Sequence, residues 1–240
     1  MDLTIRMSLI IPAGELPASS ASASRSRWPP VRVATALEVL LVYSGILLYI
    51  WRWQVTRPCV WMALLACVLL SHVMHRDTLG RLGLSLRGLR ANAEFVLPVM
   101  AALYVALALF GFARHALVLL LPVRQSLPMF ASYFVWAAVQ QYLAQSYFHN
   151  RLMSVIGNRG LSSALVAVMF GGAHIPNPIL MVATTAMEFI FSWAFARHRN
   201  IWPLALAHAA GGFLIAAISP PSLMHNMRVG PGYFFFHRRP

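Results

Sequence analysis

Long apolar stretches separated by short polar turns run through this chain from about residue 34 to residue 218. Seven stand out, at 34–51, 58–74, 93–113, 127–149, 161–175, 177–197 and 201–218. A helix rises about 1.5 Å per residue, so most of these stretches cover, or nearly cover, a hydrocarbon core of roughly 30 Å. The pattern predicts an all-α fold, a polytopic membrane helix bundle of about seven transmembrane helices within a range of six to eight. The fifth stretch is short and runs into Pro176 and Pro178, which suits a tilted or half-buried helix.

The flanks differ from this middle. Residues 1–32 hold an Ala/Ser run at 18–24 and the pair Pro29-Pro30, and read as a disordered tail. Ala21-Ser22-Ala23 has the look of a signal-peptidase site, but the apolar run before it, 7–11, is too short for a signal peptide, so the tail is expected to stay uncleaved. A single transmembrane domain is assigned to 33–218, and 219–240 to an aromatic and basic tail that anchors at an interface. Between the second and third stretches, leucines at 79, 82, 86 and 89 alternate with arginines. That spacing fits either a short helix lying on the cytoplasmic face or an ordinary positively charged loop.

Composition supports the membrane reading, since 59% of residues are hydrophobic and only 10% charged. The net charge of +13 invites a nucleic-acid partner, but the 19 basic residues are all arginine and sit in small groups at the ends of apolar stretches. This is the pattern by which a membrane protein sets its topology, and nucleic acid is excluded as a partner. Placing the N-terminus in the cytoplasm puts 12 arginines inside and 7 outside. Cys59 and Cys67 have no spacing partner for a metal or a disulfide and read as small apolar residues.

Chemistry is sought among polar groups that a bilayer-buried helix would otherwise avoid. Three stations qualify. Gln140, Gln141 and Gln145 lie on the fourth stretch, and the last two are four residues apart on one face. Phe170 and His174 share a face at the end of the fifth, with Gly171 and Gly172 between them, and His208 and Gly212 repeat the spacing on the seventh. The chain has six acids, and Glu188 is the one in this half, within an otherwise apolar stretch. Either it faces His174 and His208 as a base, or as a third ligand beside them for a divalent metal, or it is held by hydrogen bonds to a neighbouring helix.

In order and spacing these stations resemble the CPBP family, which includes CAAX prenyl protease 2 and the lysostaphin-resistance-protein-A-like glutamic intramembrane proteases. That family carries EExxxR, FxxxH and HxxxN on successive spans. Here the first reads Gln140-Gln141-Tyr-Leu-Ala-Gln145, the second is intact from Phe170 to His174, and the third keeps His208 but has Gly212 in the Asn position. The resemblance covers about residues 127–218. It implies an integral protein of a bacterial-type plasma membrane, in contact with membrane lipid, that cleaves a peptide or membrane-protein substrate near the cytoplasmic leaflet without a cofactor. By position it places the water-activating role at Gln140, assistance at His174, oxyanion stabilisation at His208 with Gly212, and support at Gln141 and Gln145.

The departures are chemical. An amide has no oxygen basic enough to take a proton from water near neutral pH, so Gln140 cannot act as a general base. Gly212 has no side-chain donor, and losing one oxyanion donor costs about 100- to 1,000-fold in rate. Two functions therefore stand at the level of sequence. One is an endopeptidase with an altered mechanism, and the other a non-proteolytic relative that binds a peptide or lipid as an immunity or scaffold protein.

Overall fold

The computed structural model describes residues 30–115, 123–219 and 224–235. The predicted tail at 1–32 lies almost wholly outside these, as do 220–223 and 236–240 of the C-terminal segment. The fold is all-α. Helix α1 (Pro30–Thr56, with a π turn at Tyr49–Trp53) is followed by α2 (Val60–Met74), the single turn α3 (Leu79–Leu82) and the long α4 (Leu89–Ala113). Helix α5 (Val123–Gln141) continues through a π segment, Tyr142–His149, into α6 (Asn150–Ile156). Then come α7 (Arg159–Gly172), α8 (Pro178–Arg197), α9 (Trp202–Ile218) and a short α10 (Pro231–Phe234).

The expectation of about seven transmembrane helices, six to eight, is not met. Among the described residues three helices are long and apolar enough to cross a membrane: Pro30–Thr56, Leu89–Ala113 and Pro178–Arg197. The stretches at 58–74, 161–175 and 201–218 form helices of 15, 14 and 17 residues, short of the roughly 20 that a crossing needs. For the last of these the apolar character has another cause. Helix α9 buries Leu204, Ala205, Ala207, Ala209 and Gly211 against its neighbours, and a helix surrounded by protein is apolar on every side just as one in lipid is. Hydropathy does not separate the two situations. The molecule is a membrane-associated protein with three candidate spans.

The segment from the π turns into α6 is the hub of the bundle. Every residue from Ala144 to Asn150 is buried, and so are Arg151 and Leu152, which requires neighbours on all sides. Val39 and Val42 of α1, Val68 of α2 and Val166 of α7 pack around Tyr147, Phe148 and Leu152. A second core joins α4, α8 and α9 through Val96, Met100, Met187, Phe191, Phe195 and Leu204. Local signals set the ends of these elements. Asn158 caps α7 by accepting from Leu161 N, while Asn177 caps α8 with Pro178 at its first position. Gly157 closes α6 at φ +74°, a conformation that a side chain would strain.

One end of the bundle is tied by charge. Arg151 is fully buried, with Nη2 2.8 Å from Asp77 Oδ2 and Nε 2.9 Å from Ser71 Oγ. His72 Nδ1 also stands 2.8 Å from Asp77 Oδ2, and Glu38 receives Tyr147 Oη at 2.9 Å and Ser71 Oγ at 2.5 Å. Four chain segments meet here: α1, α2, the turn after α2, and α6. The turn at 77–88 also meets the α8–α9 connection, where Asn200 donates to Ser85 O and Arg199 to Arg81 O. So the segment at 77–90, read from its leucines as a surface helix or a loop, contains one helical turn at Leu79–Leu82, packs as a loop against that connection, and enters α4 at Leu89.

Removing Arg151 takes from the fully buried Asp77 side chain its nearest cation and leaves Arg81, whose Nε stands 3.3 Å from Oδ1. Arg151→Met is expected to cost about 3–5 kcal/mol in a denaturant titration in mixed micelles. Burial works against the charge on Asp77, but hydrogen bonds from His72 and Arg151 and the nearby charges of Arg151 and Arg81 outweigh it and hold the carboxyl below its ordinary 3.8. Folding thus lowers this pKa, so Asp77 stabilises the fold above the unfolded value and its contribution is lost as pH falls through the lower folded value. The stability of the wild-type protein should therefore drop on the acid side of about pH 4, and less steeply in Arg151→Met.

Candidate functional site

Adjacent glutamines part company at the end of α5. Gln141 turns inward and is fully buried, whereas Gln140 is half-buried and lines a large cavity. Gln141 Nε2 donates to Glu188 Oε2 at 2.8 Å and lies 3.3 Å from His208 Nδ1. One turn on, Gln145 Nε2 lies 2.5 Å from Glu188 Oε1, 3.1 Å from Ser192 Oγ and 3.3 Å from Gln141 Oε1. The i, i+4 spacing thus aims both amides at one carboxyl on α8, and Ser192, four residues after Glu188, completes the set. Glu188 is 1% exposed. Both its oxygens are met by amide N–H groups, which is what a carboxyl needs when it is taken out of water.

The two histidines lie on either side of an aromatic ring. Phe170 is 5.1 Å from the His174 ring and 5.7 Å from the His208 ring, centroid to centroid. His174 Nδ1 is 2.7 Å from Phe170 O and 3.4 Å from Thr184 Oγ1. A carbonyl only accepts, so Nδ1 of His174 carries the proton and its Nε2 is the bare, basic nitrogen. His208 is the other tautomer, because its Nδ1 faces an amide N–H of Gln141. Gly212, one turn beyond His208, receives the Tyr133 ring so closely that a Cβ there would overlap the Tyr133 hydroxyl and ring carbons.

Beside these groups opens a cavity of about 960 Å³, bounded by α1, α2, the α5 region and α7. Val42, Tyr43, Leu65, Phe134, Met169 and Phe170 typify its wall, and Gln140 and His174 are among its few polar members. Val229 from the C-terminal segment closes one side, where Gly230 N donates to Ile175 O and Asn177 Nδ2 to Met224 O. That segment, expected to act only as an interface anchor, thereby forms part of the wall. No carboxylate is among the described lining residues.

Gln141, Gln145, Glu188 and His208 come together in one network, and Gln140, Phe170 and His174 on one cavity wall. The partners of Glu188 are glutamines, with His208 reached through the shared Gln141 nitrogen, rather than the two histidines directly. Among the described residues no three His, Cys, Asp or Glu side chains converge to hold a metal, so His174, His208 and Glu188 do not form such a site. Sequence reasoning missed Ser192, Thr184 and Tyr133. For the first two the available signal was the four-residue spacing of Thr184, Glu188 and Ser192 along α8. Tyr133 had none, because its partner lies on another helix.

Residues 122–214 match the family described as Type II CAAX prenyl endopeptidase Rce1-like. Over that part the chain is a membrane protein related to the CAAX proteases, and the narrower CPBP assignment goes beyond the match. No curated protein and no solved structure matches the chain.

The fit of Tyr133 into Gly212 makes a steric prediction. Gly212→Asn alone should lose about 1–3 kcal/mol of stability from overpacking, and Tyr133→Ala in the same chain should recover part of that loss. Thermal unfolding of the two single variants and the double variant measures the coupling.

Proposed function

We propose that this protein is a CAAX-protease-related membrane protein that holds an apolar chain, of the kind a lipid tail supplies, in its large cavity and does not cleave it by glutamate chemistry. One observation carries this reading: among its described residues the cavity wall presents an amide, Gln140, and no carboxylate, while Glu188 is sealed behind Gln141 and Gln145. Water in the cavity has no carboxylate to deprotonate it, and an amide does not replace one. A volume of about 960 Å³ lies at the upper end of the roughly 300–1,000 Å³ typical of ligand sites, with the apolar lining that such sites favour.

A second reading is favoured by the tautomer of His174. Its bare Nε2 is a base that does not depend on Glu188, and would support endopeptidase activity on a peptide near the cytoplasmic leaflet. The two readings diverge in a peptide-cleavage assay in detergent run beside binding of a fluorescent dodecyl-chain probe. Capture without cleavage predicts probe binding and no turnover in wild type, His174→Ala and Glu188→Gln alike. Turnover in wild type that disappears in His174→Ala would replace it with the second reading.

A further inference from the structure

Three tyrosines reach across the bundle into glycine notches. Tyr43 meets Gly172, Tyr104 meets Gly211 and Tyr133 meets Gly212, each with its hydroxyl where a Cβ would clash. Two of these hydroxyls are satisfied: Tyr43 donates to Met169 O at 2.8 Å and Tyr104 to Ala207 O at 2.6 Å. Tyr133 stands edge-on to His208, with ring centroids 6.4 Å apart, and its hydroxyl donates to no acceptor among the described residues. It borders a second hollow of about 360 Å³. Ser132, also on that wall, already donates to Met129 O. Phe213, Ala216 and Met129 make the rest of the wall apolar, and none of its described lining residues is charged.

Trp136 lines both this hollow and the large cavity. We infer that Tyr133 is a specificity residue whose hydroxyl donates a hydrogen bond to the carbonyl oxygen of an acyl ester or acyl amide, with the hydrocarbon chain of the ligand lying in the large cavity. The inference rests on the lipid-tail reading of that cavity and names the polar end of its ligand. A phenol O–H that borders an apolar hollow and has no acceptor among the described residues is available to donate to a ligand. With no cation among the described residues lining the hollow, a neutral carbonyl fits it better than a carboxylate or phosphate. Gly212 is then the residue that leaves room for the hydroxyl.

The test uses the full chain in nanodiscs and two probes that quench tryptophan emission, dibrominated methyl stearate and the matching dibrominated octadecane. Wild type should bind the ester about 5- to 10-fold more tightly than the alkane, the range expected of one hydrogen bond. Tyr133→Phe should abolish that preference by weakening the ester alone. Tyr104→Phe, at a position that lines neither hollow, should keep it. Equal binding of the two probes by wild type, or a preference that survives in Tyr133→Phe, overturns the role given to Tyr133. Failure of both probes to bind overturns the lipid-tail reading itself.

Discussion

A carboxyl group taken out of water must be met by hydrogen-bond donors, and the middle of this protein is arranged around meeting that demand at Glu188. Two amides on the helix opposite, Gln141 and Gln145, supply them, and those amides are held in turn by His208 beside Gln141 and Ser192 beside Gln145. The pairing joins the hub segment to α8 and, through His208, to α9. It also decides the chemistry. Donors that satisfy the carboxyl are the same groups that wall it off, so the acid on α8 serves as an internal anchor and the cavity next to it is left with neutral polar groups.

A second polar cluster answers the same physical demand by a different route. Arg151, Asp77, His72 and Glu38 compensate one another through ion pairs at the end of the bundle where the turns after α2 and α8 meet. Full charges are used at that end, and Arg151 has two carboxylates within reach. Deeper in the helices, amides surround one carboxyl. Between the two clusters, the unbroken burial from Ala144 to Leu152 makes a single helix carry both, with Gln145 facing one and Arg151 the other. Gln145 sits within the π segment and Arg151 just beyond its end, and an insertion of that kind re-aims side chains about the helix axis.

Much of this was legible in the sequence where the signal is local. Helical spacing paired Gln141 with Gln145, and Phe170 with His174, and the isolation of Glu188 in an apolar stretch marked it as a group needing partners. The identity of those partners was not legible, because the choice between glutamines on α5 and histidines elsewhere depends on how α8 is rotated. The cluster at Arg151 was hidden for a related reason: its members lie at 38, 71–77 and 151, and arginines at the ends of apolar stretches read as topology signals. Glu38, alone in the first apolar stretch, was the available hint. The number of spans was overread because α9, buried by protein, has the same hydropathy as a helix buried by lipid. Gln140 and Gln141 are neighbours in sequence and look equivalent there, yet the helix turns one to the cavity and the other to the core.

The central claim is that the large cavity holds an apolar chain beside Gln140 and His174 while Glu188 stays sealed. A density map of the protein purified in native-membrane nanodiscs, without detergent, tests it most directly. Continuous elongated density running past Tyr43, Leu65 and Phe134 toward His174, with the Glu188 carboxyl still capped by Gln141 and Gln145, is the predicted result. A collapsed cavity, or Glu188 swung out to face water beside His174, would contradict it.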